Sequence, residues 1–158
     1  MIWRLSHRAD PLAVPIADRH YNRQHVGAPQ FVPPGRCVVL LAAAPAVALW
    51  VTSWPFAEYV RHAWPGAWVC SCFRREAGPP ASEMIREAVA ATRAVFGEPQ
   101  ALGMVTFLDR SKVLPIRVRG AKTWGRTWLL AGVEPAGETK GGRLALRAQL
   151  RTQGLPVR

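Results

Sequence analysis

The sequence predicts an α/β fold: a mixed central sheet built around a β-loop-α-β core and flanked by helices. Three observations predict it. Short apolar runs bounded by proline and glycine recur through the middle of the chain and read as strands. One amphipathic stretch, Ser82 to Phe96, carries a helical stripe at Ile85, Ala88, Thr92 and Val95. That stretch lies between two of the strands, which is the β-α-β arrangement of a parallel pair joined by a right-handed crossover.

The 158 residues fit one domain, 1–158. Three parts differ in character: a polar N-terminal segment (1–36), a core (37–109) and a basic C-terminal part (110–158). Apolar residues are 49% and charged residues 20%, a globular composition.

Within 1–36, the run Asp18 to His25 is dense in polar groups and forms a short helix or a loop. Gln30 to Gly35 is extended or turned because of its prolines. Cys37–Leu41 and Ala46–Val51 predict a hairpin around Ala42-Ala43-Ala44-Pro45. Ala67–Phe73 predicts a third strand with Trp68, Cys70 and Cys72 on one face. Residues 74–81 predict a loop, and Ser82 an N-cap with Glu83 in the first turn. Gly97 and Pro99 stop the helix. Ala101–Leu108 predicts a fourth strand. Gly120–Ala131 predicts a second helix, and 133–151 one or two more strands turning at Gly141-Gly142.

Charge separates these parts. Basic residues number 21 against 10 acidic, a net of +11. Residues 1–109 hold ten basic and eight acidic residues, and 110–158 hold eleven and two. Most of the cations are arginine, which forks onto phosphate. A field of this sign attracts polyanions, and a solvated basic surface is the plain alternative. Candidate nucleic-acid contacts are Asn22, Arg23, Arg61, Arg117, Arg119, Lys122 and Arg126.

Three cysteines and no secretory signal predict a reducing, cytoplasmic setting. Cys37, Cys70 and Cys72 lack paired metal-ligand spacing and read as buried thiols, so no metal site is predicted. No apolar run is long enough to span a bilayer.

Three constellations could carry chemistry. Arg74, Arg75, Gly78 and Ser82 surround a strand-to-helix junction, where an anion can be held, or where an ordinary loop simply precedes a capped helix. Thr106 and Asp109 stand at the carboxyl end of a strand, where ligands bind in open α/β sheets. Asp109 is there a general base, or a turn residue satisfying its own backbone. His20, Tyr21, Asn22 and Arg23 combine stacking and hydrogen-bonding groups suited to a flipped base, or form a polar surface with Tyr21 tucked inward. Trp50, Trp54, Trp64 and Trp68 are core or rim, with any exposed one a stacking platform. No hydrolase elbow, P-loop, zinc-protease motif or dinucleotide fingerprint is present.

The order hairpin, strand, Arg-rich loop, helix, strand, helix ending in Ala131-Gly132-Val133 resembles the GNAT acyltransferases. Their R/Q-x-x-G-x-G/A loop binds an acyl-CoA pyrophosphate. Arg75-Glu76-Ala77-Gly78-Pro79-Pro80 carries the arginine and the first glycine, with Pro80 at the last place. Trp128 stands where the family often has a tyrosine acid. More narrowly, four stretches resemble the Mom-like phage DNA-modification proteins: His20-Tyr21-Asn22-Arg23, Gln30 to Arg36, Leu49 to Pro55 and Gly103 to Asp109. The resemblance implies a transferase that adds a carbamoylmethyl or related group to a base amine, adenine N6, on double-stranded DNA with the base flipped. Under the transferase hypothesis the catalytic candidates are Asp109, Tyr21, His20 and Ser53, and the donor-binding candidates are Arg74, Arg75, Gly78, Ser82 and Thr106. The sequence does not identify the donor; acyl-CoA and another acyl or glycyl compound both stay open. A non-catalytic phage DNA-binding or anti-restriction protein, and an acyltransferase acting on a protein or small-molecule amine, stay open beside it.

Overall fold

The computed structural model describes residues 2–150; Met1 and residues 151–158 lie outside it, and with them the end of the expected 133–151 segment and the last two arginines. A seven-stranded mixed sheet runs in the order β1-β2-β3-β4-β5-β9-β8. Its strands are β1 (Trp3–Leu5), β2 (Arg36–Ala42), β3 (Val47–Trp54), β4 (Trp68–Ala77), β5 (Met104–Leu108), β8 (Glu134–Glu138) and β9 (Leu144–Ala148). A separate two-stranded ribbon pairs β6 (Ile116–Val118) with β7 (Ala121–Thr123). The helices are α1 (Val14–Asp18), α2 (Ala81–Phe96) and α3 (Arg126–Leu130).

The apolar hairpin forms as the sequence predicts, with Leu40 opposite Trp50. β1 was not expected, because three residues are too few for an alternating pattern to be read. It adds to the outer edge of β2. Its Trp3 is buried and donates from the indole N–H to the Met84 carbonyl at 2.9 Å, pinning α2 to that edge.

α2 connects the parallel strands β4 and β5, again as expected. Its buried residues are Met84, Ile85, Ala88, Val89, Thr92 and Phe96. Val95 is 47% exposed, because a 3.6-residue period carries the stripe to Phe96 instead. Ser82 is not the N-cap. The cap position is Pro80, without a side-chain hydrogen bond, and Ser82 lies inside the first turn. β4 also runs on through Ala77, so the expected loop from 74 shrinks to Gly78–Pro80, and Arg74 and Arg75 stand on a strand.

One irregularity in β4 reshapes the core. Val51 pairs with Cys72, but Thr52 pairs with Cys70, so Ser71 is an extra, bulged residue. The bulge reverses the alternation. Cys70 packs with Trp50 and Trp68 on the α2 face, whereas Cys72 packs with Leu49 and Val51 on the α1 face. The two thiols therefore do not share a face as strict alternation predicted. Both are buried; burial pushes Cys70 well up and Cys72 up to about 12, so neither forms a thiolate near neutrality.

The expected second helix, Gly120–Ala131, is corrected most. Residues 116–123 form the β6–β7 hairpin, and only Arg126–Leu130 is helical. Arg119 and Gly120 turn the hairpin with φ of 52° and 80°, and Gly125 sits at 72°. No α-helix accommodates a left-handed residue in its interior, so the two glycines end what their neighbours' propensities suggested. The final hairpin, β8 and β9, turns through Gly141-Gly142 as predicted. No helix among the described residues is long and apolar enough to cross a membrane.

Candidate active site

β4 and β5 are hydrogen-bonded neighbours only from Trp68–Cys70 against Met104–Thr106. Past that point comes the Ser71 bulge; β4 then continues along β3, and β5 continues along β9. The strands part, and Thr106 closes the fork with its hydroxyl donating to the Cys70 carbonyl at 3.0 Å. A cavity of about 660 Å³ opens there. That lies within the roughly 300–1,000 Å³ usual for small-ligand sites. Ser71 to Arg75 form one wall, Thr106 to Leu108 another, and the turn Arg19–Asn22 a third. Trp128 lies at its base, against Trp50 and Phe73.

The turn after α1 reaches this fork by long-range bonds. Tyr21 donates its hydroxyl to the Phe107 carbonyl at 3.2 Å, 86 residues away. Asn22 donates from its side-chain amide to the Ser71 carbonyl at 2.5 Å, which turns its Oδ1 towards His20. His20 Nδ1 lies 2.5 Å from that oxygen. An amide oxygen only accepts, so this contact is a hydrogen bond in the tautomer protonated on Nδ1, which leaves the Nε2 lone pair free. The Asn22 backbone N–H donates towards the same Nδ1 at a looser 3.3 Å, a bond that belongs to the other tautomer. Burial lowers the His20 pKa below its ordinary value; the Asn22 bond opposes this, and the positive charge of Arg74 adds to it. His20 is thus an oriented imidazole that takes up a proton less readily than a free one. Tyr21 stacks on it with ring centres 4.6 Å apart, and burial keeps the phenol protonated.

A charge relay lies on the rim. Glu76 accepts from Arg19 Nε and Arg74 Nε at 2.6 and 2.7 Å. Arg19 first, then Arg74, draws the Glu76 carboxyl from 4.5 down to about 2. Its folded pKa lies below its unfolded one, so the stabilisation is complete above about pH 4.5 and is lost as pH falls towards 2. Melting temperature recorded between these limits is expected to fall with pH, with a shallower fall for Glu76→Gln. An unchanged slope in that variant would remove the relay from the account.

The other expected residues divide. Arg126 lines the cavity from the start of α3, and Lys112, which the sequence did not single out, lines it too. Arg75 also lines it, but its guanidinium is folded onto the carbonyls of Gly78 and Pro79 at 2.6 and 2.7 Å. Arg117, Arg119 and Lys122 stand exposed on the β6–β7 hairpin. Arg61 is exposed on the loop whose His62 and Trp64 rings pack on Phe107. Arg23 has a structural part: its side chain, 8% exposed, bonds Asp18 and the carbonyls of Ala28 and Gln30. The Asp109 carboxylate is exposed and held by the Ser111 backbone N–H and hydroxyl, the turn arrangement rather than a base facing the cavity. Ser53 is buried on β3, outside the cavity wall, with an unpartnered hydroxyl. Ser71 was missed: its hydroxyl, buried and without a partner, belongs to a residue of the cavity wall. Nothing in an apolar strand pattern marks which residue will bulge.

No family model, curated protein or solved structure matches the chain. Among the described residues, no group of three or more His, Cys, Asp or Glu could hold a metal ion.

Proposed function

We propose that this chain is a GNAT-fold transferase that modifies an exocyclic amine of a DNA base, with His20 as general base. The observation that carries the reading is the His20–Asn22–Ser71 chain of hydrogen bonds at the fork of β4 and β5. The strand order supports the fold: the last two strands are exchanged, and β4 and β5 are parallel and then part. The basic hairpin beside the cavity supports a polyanionic substrate.

In this reading a flipped base enters the cavity and its amine faces His20 Nε2. The amine nitrogen attacks the electrophilic carbon of the donor, and a C–N bond forms. The leaving group departs with its bonding pair, and the surplus amine proton passes to Nε2. Asn22 holds the ring in the tautomer that can accept it. Tyr21 supplies a stacking face.

Coenzyme A fits poorly here. Its pyrophosphate would need backbone N–H groups in the loop before α2, and Pro79 and Pro80 have none. Arg75 is committed to the loop's own carbonyls. No step is therefore assigned to that group, and the donor class is another acyl or glycyl compound.

The test is to express the protein with a plasmid and resolve the digested nucleosides by mass spectrometry. A new, heavier deoxyadenosine species is expected. Unmodified nucleosides alongside soluble protein would refute the reading and leave a DNA-binding protein without catalysis, which the exposed hairpin charge also supports.

A further inference from the structure

We propose that Leu114 is an intercalating wedge that fills the stack vacated by the flipped base, while the β6–β7 hairpin beside it grips the flanking phosphates. The inference rests on the DNA reading above and adds the surface by which duplex DNA would be opened.

Leu114 is 89% exposed and Ile116 51%, and both lie on the rim of the cavity. Single exposed leucines are common on protein surfaces. This one stands next to a hydrogen-bonded turn. The Val113 carbonyl accepts from the Trp124 indole N–H at 3.0 Å. The backbone N–H groups of Lys112 and Val113 donate to the Asp109 carbonyl at 3.0 and 3.1 Å. Pro115 follows, which fixes φ on the other side. The side chain therefore projects from a backbone bounded by a hydrogen-bonded turn and a proline, which limits the backbone entropy lost on contact.

Its surroundings identify the partner. Residues 109–126 contain six basic residues and one acid. Arg117, Arg119 and Lys122 lie on the neighbouring hairpin, and Lys112 and Arg126 on the cavity wall. An apolar tip set among cations, next to a cavity of base-holding size, is the chemistry of a protein that unstacks a duplex. The apolar group enters between base pairs, and the cations hold the backbone on either side.

The experiment uses the full-length chain and two short labelled duplexes of the same sequence, one fully paired and one with a central mismatch. Affinity is read by fluorescence anisotropy across a potassium chloride series. A wedge spends energy on unstacking, so the native chain is expected to bind the mismatched duplex roughly tenfold more tightly. Leu114→Ala is expected to remove that preference. The side chain is exposed, so the variant keeps its melting temperature. Changing Arg117, Arg119 and Lys122 together to Gln is expected to weaken both duplexes alike and to lower the log–log salt slope by about 2–3.

If Leu114→Ala keeps the full mismatch preference, the wedge is wrong while the DNA reading stands. If the native chain binds neither duplex at low salt, both fall. If the native chain shows no mismatch preference and Leu114 instead governs binding to phosphatidylserine vesicles, the surface is a membrane contact and the wedge is again overturned.

Discussion

His20→Ala is expected to lower the yield of modified nucleoside by about 10²–10⁴-fold, the contribution of a positioned general base. The protein should stay folded, since the ring is only partly buried and its stacking and hydrogen-bond contacts are to its sequence neighbours Tyr21 and Asn22. The pH profile gives the sharper test. The His20 pKa lies below 6.5 in the folded protein, chiefly through burial and then through Arg74. Activity is therefore expected to be flat from neutrality upward and to fall only below that value. The same shift has a stability sign: the unfolded chain takes up the proton first, so stability declines as pH drops below about 6.5. Arg74→Gln removes the repelling charge and is expected to move the acid limb upward. Asn22→Asp keeps an acceptor for Nδ1 but adds negative charge, and should move the limb further in that direction. These measurements need purified protein, plasmid and a cell extract as donor source. An acid limb that stays in place in both variants, with activity surviving in His20→Ala, would end the general-base assignment.

The largest stability effect is expected at Trp50. Its side chain is fully buried and lies between the sheet and α2, touching Phe73 and Trp128 on the cavity side. Its indole N–H donates to the Thr92 hydroxyl at 3.1 Å. Trp50→Ala should cost about 3–5 kcal/mol, because a large void opens where α2 is anchored. A domain of this size is stable by only about 5–15 kcal/mol, so the variant should be near the limit of folding. Two conservative changes separate packing from hydrogen bonding. Trp50→Phe loses the bond to Thr92, whereas the equally buried Trp68 has an indole N–H without a partner. Trp68→Phe removes a buried unsatisfied donor and is expected to cost less. Urea unfolding of both variants checks the order. Equal or reversed costs would show that void volume alone governs this core.

The chain's own order of residues determined the hairpin at β2 and β3, the helix from Ala81 to Phe96, the strands around it and the last hairpin. Each depends on apolar spacing and turn residues within about ten positions, which are visible locally. The His20–Asn22 cluster was also legible as chemistry, because its residue types are dense in polar function. Its location was not. Tyr21 meets Phe107 and Asn22 meets Ser71 across 86 and 49 residues. The bulge at Ser71 arises from the register of β4 against β3, a pairing no local pattern encodes. That one extra residue sends Cys72 to the opposite face from Cys70 and coincides with the parting of β4 from β5. Asp109 shows the reverse case. Its place after a strand was read correctly, but the folded turn ties its carboxylate to Ser111, two residues on, and leaves it outside the cavity wall, next to Tyr21. Local sequence thus determined which elements form, while long-range pairing decided which side chains meet, because backbone register and the bonds that cross it exist only once the strands are assembled.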